Sequence, residues 1–284
     1  MIPRRTLLAA SLLSLPAAAG DAGGELLHGI AGLEQRHGGR LGVAVLDTAG
    51  AKVVAHRGDE RFALCSTYKC LAAAFVLARV DRKQESLARR IVYASDDLVA
   101  YSPVTGRHAG PGGLSVGEIC EAAVTLSDNT AANLLLDSFG GPAGLTAYLR
   151  SMGDGITRLD RRETALNEAR PGDARDTTTP AAMVDFLRET VVGTALSAAS
   201  REQLTAWLVA CTTGGKRLRA GVPKGWRVGD KTGSGGNNAT NDIAVIWPPG
   251  RAPIIVAAYY VEARASDDER DAVLAEVGRL AARV

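Results

Sequence analysis

Ser66-Thr67-Tyr68-Lys69-Cys70 runs directly into Leu71-Ala72-Ala73-Ala74-Phe75-Val76-Leu77-Ala78-Arg79-Val80. From Leu71 to Val80 only Arg79 is polar. A helix that is apolar on nearly every side belongs inside a domain, so this stretch predicts a buried helix beginning near Ser66. A spacing of three then puts Lys69 one turn after Ser66 on the same face, with the Ser66 hydroxyl at the positive end of the helix dipole. Serine is a poor nucleophile until a neighbour removes its proton, and a desolvated lysine can do so. Alone, Ser-x-x-Lys recurs about once by chance in such a chain. A helix cap followed by a surface lysine is the plainer reading.

Outward from that helix, the pattern changes on both sides. Upstream, Leu26, Leu27, Ile30 and Leu33 share one face of a helix over residues 25–36. Leu41 to Asp47 and Lys52 to Ala55 then read as strands around Thr48-Ala49-Gly50. Downstream, helices are expected over 115–124 and 130–139, with Gly140-Gly141 closing the second. Pro142 opens a helix to Met152, Thr179 caps and Pro180 opens one to Val192, and another covers 200–209. Trp226 to Lys231, Asp242 to Trp247 and Ile254 to Val261 are strand-like again, before an amphipathic helix over 269–282. Strands at both ends with helices between predict an α/β chain of the α+β type. Its antiparallel sheet is built from the two termini and flanked by terminal helices, with an all-α region inserted. Residues 21–60 and 210–284 would form the sheet domain and 61–209 the helical one. Arg158 to Asp176 is charged and aperiodic, and so long a loop is usually functional.

Composition narrows the function. At 284 residues, 46% apolar and 23% charged, the chain can bury a sizeable core and is neither disordered nor low-complexity. Arg4-Arg5, the apolar run Thr6 to Leu15 and the small residues Pro16 to Gly20 read as an export signal over residues 1–20. The apolar run is too short for a permanent span. Export by the Sec or the twin-arginine route, to the periplasm or outside, is expected. The formal charge is +2 with the signal, and the remainder is neutral, which excludes a polyanion binder. His28, His37, His56 and His108 are scattered, and no HExxH or CxxC occurs, so neither a metal nor another cofactor is expected.

Three further motifs accompany Ser66 and Lys69. Ser127-Asp128-Asn129 sits between two helices, where a plain cap is the bland alternative. Lys231-Thr232-Gly233-Ser234 leaves a strand end, and its lysine, hydroxyls and glycine suit a carboxylate receptor. Glu163 and Asn167, four apart in the irregular loop, could hold one water between them. In this order the motifs match the Ser-x-x-Lys, Ser-Asp-Asn and Lys-Thr-Gly signature of penicillin-recognising enzymes. The chain resembles class A serine β-lactamases over essentially its whole mature length, especially the CTX-M-type members. Arg158-Leu159-Asp160-Arg161, the run Pro171 to Pro180 and Asn241 to Pro248 also look like that group.

The resemblance implies roles. Ser66 would attack the lactam carbonyl; Glu163 and Asn167 would activate the hydrolytic water; Lys69 or Glu163 would take the serine proton; Ser127 would protonate the lactam nitrogen. Backbone N–H groups of Ser66 and Ser234 would form the oxyanion hole. Asn129 would meet the acylamide of the substrate, Tyr101 would wall the cleft, and Lys231, Thr232, Gly233 and Ser234 would receive its carboxylate. Residues 161–176 would be an Ω-type loop closed by an Arg161–Asp176 pair, which requires a partly buried neck. The arginine that many members carry after Lys-Thr-Gly is missing from Asn241 to Ile246. Arg217, in a KPC-like segment, would replace it, with Arg270 as the second candidate. Cys65 matches a cysteine that carbapenem-hydrolysing members tether just past Lys-Thr-Gly, where this chain has Gly235. Cys120 matches one end of another family disulfide whose partner position is Ala73, with Cys70 one turn away. The implied protein is a monomer acting on a small β-lactam, away from the membrane once its signal is removed. A penicillin-binding D-Ala-D-Ala peptidase or a β-lactam sensor shares part of the signature, but neither has reason to carry Glu163 and Asn167 on a long loop.

Overall fold

The structure is a computed structural model that describes residues 22–50 and 52–284. The segment read as an export signal lies outside the described residues. In chain order, α1 (Ala22–His37) leads into strands β1 (Arg40–Asp47), β2 (Val53–His56) and β3 (Phe62–Ala63), then α2 (Tyr68–Asp81). Strands β4 (Arg90–Tyr93) and β5 (Gly110–Ser115) precede α3 (Val116–Thr125), α4 (Asn129–Ser138) and α5 (Gly141–Ser151). After a long loop come β6 (Thr177–Thr178), α6 (Pro180–Leu187), α7 (Ala198–Val209) and the one-turn α8 (Leu218–Gly221). The chain ends with β7 (Arg227–Ser234), β8 (Thr240–Trp247), β9 (Ile254–Val261) and α9 (Asp267–Ala281).

Five strands form one antiparallel sheet in the order β2-β1-β9-β8-β7, so the two ends of the chain meet at β1 and β9. The period-two alternation of these strands sorts the core. Leu41, Val43, Val45, Val256, Ala258 and Tyr260 pack with Leu26, Ile30, Leu33 and Leu274 of the terminal helices. Ala44, Leu46, Ile255, Ala257 and Tyr259 face the opposite way, against α2 and α6. A strand buried on both faces reads as a continuous apolar run, which is why Ile254–Val261 shows no alternation. The helix that opened the sequence argument is central: Leu71, Val76 and Leu77 are all buried.

Two expectations need correction. The inserted region is not all helical: β4 pairs with β5, and β3 with β6. The Gly110-Pro111-Gly112-Gly113 run has no strand propensity and is held by the register Ile91↔Leu114. The helix expected to reach Val192 ends at Leu187 and widens into a π turn over Arg188–Val192.

Candidate active site

Ser66 lies on a 3-10 turn, Cys65–Thr67, that feeds α2 rather than serving as the helix cap. Its side chain opens onto a cleft of about 310 Å³. Lys69, one turn on, points inward and is fully buried. Its Nζ donates to Asn129 Oδ1 (2.6 Å), Ser127 O (2.8 Å) and Ser127 Oγ (3.3 Å), and pairs with Glu163 Oε1 at 3.0 Å. Burial, aided by the neighbouring Lys231 charge and opposed by Glu163, brings the Lys69 ammonium down to about 8. A lysine poised there can take or give a proton near neutrality.

The Ser-Asp-Asn turn is fixed by its middle residue. Asp128 is fully buried. It caps α4 by accepting from Ala131 N, and it also accepts from Val104 N, Thr105 N and Thr105 Oγ1 at 2.7–2.9 Å. That ties the Tyr101 loop to the motif, reinforced by Asn129 N donating to Tyr101 O and Asn129 Nδ2 to Ala100 O. Tyr101 stands at the rim, 60% exposed, with φ of +63°.

The long loop delivers Glu163 to the Lys69 ammonium. Arg161 Nε donates to Asp176 Oδ2 (2.5 Å), while the N–H groups of Asp160 and Arg161 donate to Asp176 Oδ1. Asp176 is fully buried and the Arg161 side chain only 15% exposed. The neck therefore meets the burial condition, and the pair can fix the loop. Asn167 Nδ2 donates to Glu163 Oε2 at 2.5 Å. Asn133 grips the Glu163 backbone from both sides, accepting from its N–H and donating to its carbonyl, each at 3.0 Å.

Strand β7 forms the opposite wall. Lys231, fully buried and lowered by desolvation, donates to Ser127 Oγ (3.1 Å) and to Thr232 O (2.8 Å). Thr232 Oγ1 and Thr213 Oγ1 share a hydrogen bond of 2.5 Å. Arg217 does reach this wall: Nη2 donates to Ser234 Oγ (2.8 Å), and Nη1 to the carbonyls of Gly233 and Asn241. Its Nε is held by Asp271. Arg270 instead donates to Thr240 Oγ1, Ala265 O and Asp267, and does not line the cleft. The strand then turns through Gly235 and Gly236, which lie against the loop. A Cβ on Gly235 would meet Asn167 O at 2.6 Å and Cys65 Sγ at 2.7 Å, and one on Gly236 would strike Glu168 O. Gly236 N donates to Asn167 O at 2.8 Å.

All four cysteines are free thiols, so no Cys70–Cys120 bridge forms. The Cys65 thiol is pushed up to about 12 by burial. Among the described residues no cluster of His, Cys, Asp and Glu could hold a metal ion, and no helix is long and apolar enough to cross a membrane.

Ser66, Tyr101, Ser127, Asn129, Asn167, Arg217, Thr232, Gly233 and Ser234 thus line one cleft, Lys69, Glu163 and Lys231 underlie it, and Arg270 stands apart. Three that matter to it were missed. Asn133 follows Asn129 by one helical turn, and that spacing was a usable signal. Thr213 and Asp271 carry none, because only the fold brings them to Thr232 and Arg217.

Comparison with known proteins agrees with the geometry. The model of the β-lactamase enzyme family matches residues 26–284. The chain is 49% identical over 255 residues to β-lactamase L2 of Stenotrophomonas maltophilia, covering 89% of this chain and 84% of that one. It is 47% identical over 251 residues to β-lactamase CTX-M-8 of Citrobacter amalonaticus, covering 88% and 86%. Among solved structures, an ancestral (GNCA) class A β-lactamase superposes with a TM-score of 0.89 at 66% identity, covering 90% of this chain and 98% of that chain. The putative class A β-lactamase PenP from Rhodopseudomonas palustris does so at 0.89 and 61%, covering 90% and 97%. The chain belongs to the β-lactamase enzyme family, within its class A serine group.

Proposed function

We propose that Ser66 opens the lactam as nucleophile and that Glu163, with Asn167, activates the water that releases the product. One observation carries this reading: Lys69 Nζ, one turn after Ser66, lies between Glu163 Oε1 and the Ser127 hydroxyl. A proton leaving Ser66 Oγ has Lys69 or Glu163 to receive it. Ser127, linked to both Lys69 and Lys231, returns a proton to the lactam nitrogen as the C–N bond breaks. Backbone N–H groups of Ser66 and Ser234 meet the oxyanion, a contribution of several kcal/mol in other acyl-transfer enzymes. Lys231, Thr232, Ser234 and Arg217 receive the substrate carboxylate, and Gly233 lets the backbone come close. Asn129 contacts the acylamide and Tyr101 covers the mouth. Penicillins and cephalosporins are the substrates, those with oxyimino side chains among them. The enzyme works as a monomer in the periplasm or outside the cell, exported by its first twenty residues.

Purified protein mixed with a chromogenic cephalosporin should hydrolyse many equivalents. A reaction that stops after one equivalent would overturn turnover and favour a peptidase or a sensor. The carboxylate assignment has its own check. Arg217→Ala should lower kcat/KM for benzylpenicillin by about 1.5–3 kcal/mol, roughly 10- to 150-fold, as for a lost charge-assisted hydrogen bond. Arg270→Ala should do much less, and the reverse order would transfer the role to Arg270.

A further inference from the structure

A separate cavity, of about 180 Å³, lies between the long loop and the five-stranded sheet. Five arginines line it: Arg161, Arg170 and Arg175 from the loop, Arg40 from the start of β1, and Arg61 just ahead of β3. Asp173 and Glu262 also reach it. Each already faces a guanidinium, Asp173 that of Arg175 at 2.7 Å and Glu262 that of Arg40 at 3.7 Å. Arg61 has no carboxylate partner among the described residues; its Nη1 donates to Ile156 O (3.0 Å) and Thr177 Oγ1 (2.9 Å). Donors remain on three of the five side chains. Arg61 keeps Nε and Nη2, and Arg175, which spends Nε and Nη2 on Asp173, keeps Nη1. Arg161 spends Nε on Asp176 and Nη1 on Glu168, while its Nη2 has only Asp173 at 3.9 Å.

We propose that this cavity binds a free tetrahedral oxyanion of the size and charge of phosphate, and that the bound ion ties the long loop to the sheet. Guanidinium N–H groups match the oxygens of such an ion two at a time, in charge-assisted bonds stronger than neutral ones. Five like charges around one small volume repel each other, and a doubly charged ion among them offsets that repulsion. Chloride has neither the charge nor the several oxygens needed to bridge guanidiniums on opposite walls. Those walls belong to different parts of the chain, the loop on one side and the β1 and β3 ends on the other. An ion that needs both walls binds only the closed loop and therefore stabilises it. The site stands apart from Ser66 and Glu163 and does not depend on their assigned roles.

Inorganic phosphate is the probe, with sodium chloride at matched ionic strength as the reference. At about ten times a millimolar Kd, phosphate is expected to raise the melting temperature by about 3–5 °C over chloride. Amide hydrogen exchange over residues 169–177 is expected to slow about tenfold under the same conditions. The carboxylate receptor on β7 is a second place where phosphate can bind, and variants separate the two. Arg61→Gln and Arg175→Gln, each measured against its own chloride reference, should lose most of the shift and of the protection. Arg217→Ala should keep both. A shift that chloride reproduces, that survives Arg61→Gln and Arg175→Gln, or that vanishes with Arg217→Ala overturns the proposal, as does unchanged exchange over 169–177. Protection of that segment by phosphatidylglycerol vesicles, with none from free phosphate, would overturn the assignment to a free ion.

Discussion

Ser66→Ala is expected to remain folded, to form no covalent adduct with any β-lactam, and to lose about 10⁶-fold in kcat/KM, the scale seen when a nucleophile is removed from an acyl-transfer site. The fold should tolerate the change, because Ser66 neither caps α2 nor anchors Lys69, whose ammonium bonds to Ser127 and Asn129. Only the oxyanion donors and binding contacts would remain to act on substrate. Intact-protein mass spectrometry after incubation with benzylpenicillin, run beside a thermal melt, checks both halves. A wild-type-sized adduct on the alanine variant would place the nucleophile elsewhere.

Glu163→Ala should produce the opposite picture: an acyl-enzyme that forms and stays. Removing the carboxylate takes away the one charge that most supports the Lys69 ammonium. Desolvation then pushes that lysine further toward its neutral form, which still accepts the Ser66 proton. Deacylation has no such substitute, because Asn167 can hold a water but cannot deprotonate it. A loss of about 10²- to 10⁴-fold in the deacylation rate constant is the range for a missing general base. Turnover of penicillin at the wild-type rate by this variant would show that another group activates the water.

Much of this site is legible in the sequence because its chemistry depends on short spacings. Ser66 and Lys69 share a helical face, Asn129 follows a capping aspartate, and Lys231 to Ser234 leave a strand. Each pattern survives in the local sequence whatever the tertiary packing. The sheet was equally legible, since Leu41–Asp47 and Ile254–Val261 carry apolar runs that can only be satisfied by burial. The failures share a different cause. Strand β3 is two residues long and exists only because Thr177 and Thr178 are brought to it across more than a hundred residues. The glycine-rich strand β5 owes its extended form to Ile91 and Arg90 opposite, not to its own propensities. Asp271 lies on a terminal amphipathic helix, and nothing in that helix marks one acid as the partner of Arg217.

The bare contact between Gly235-Gly236 and the carbonyls of Asn167 and Glu168 bears on how such an enzyme can evolve. Any side chain introduced there has no empty volume to occupy, so it must push the loop outward. The residue displaced first is Asn167, whose amide holds Glu163. Access for bulkier substrates and alignment of the base are therefore one inherited variable, not two. A lineage selected for a wider mouth would give up speed on small penicillins in the same step. It could recover that speed only through later changes that re-anchor the loop from its far side, at the Arg161–Asp176 neck or at Asn133.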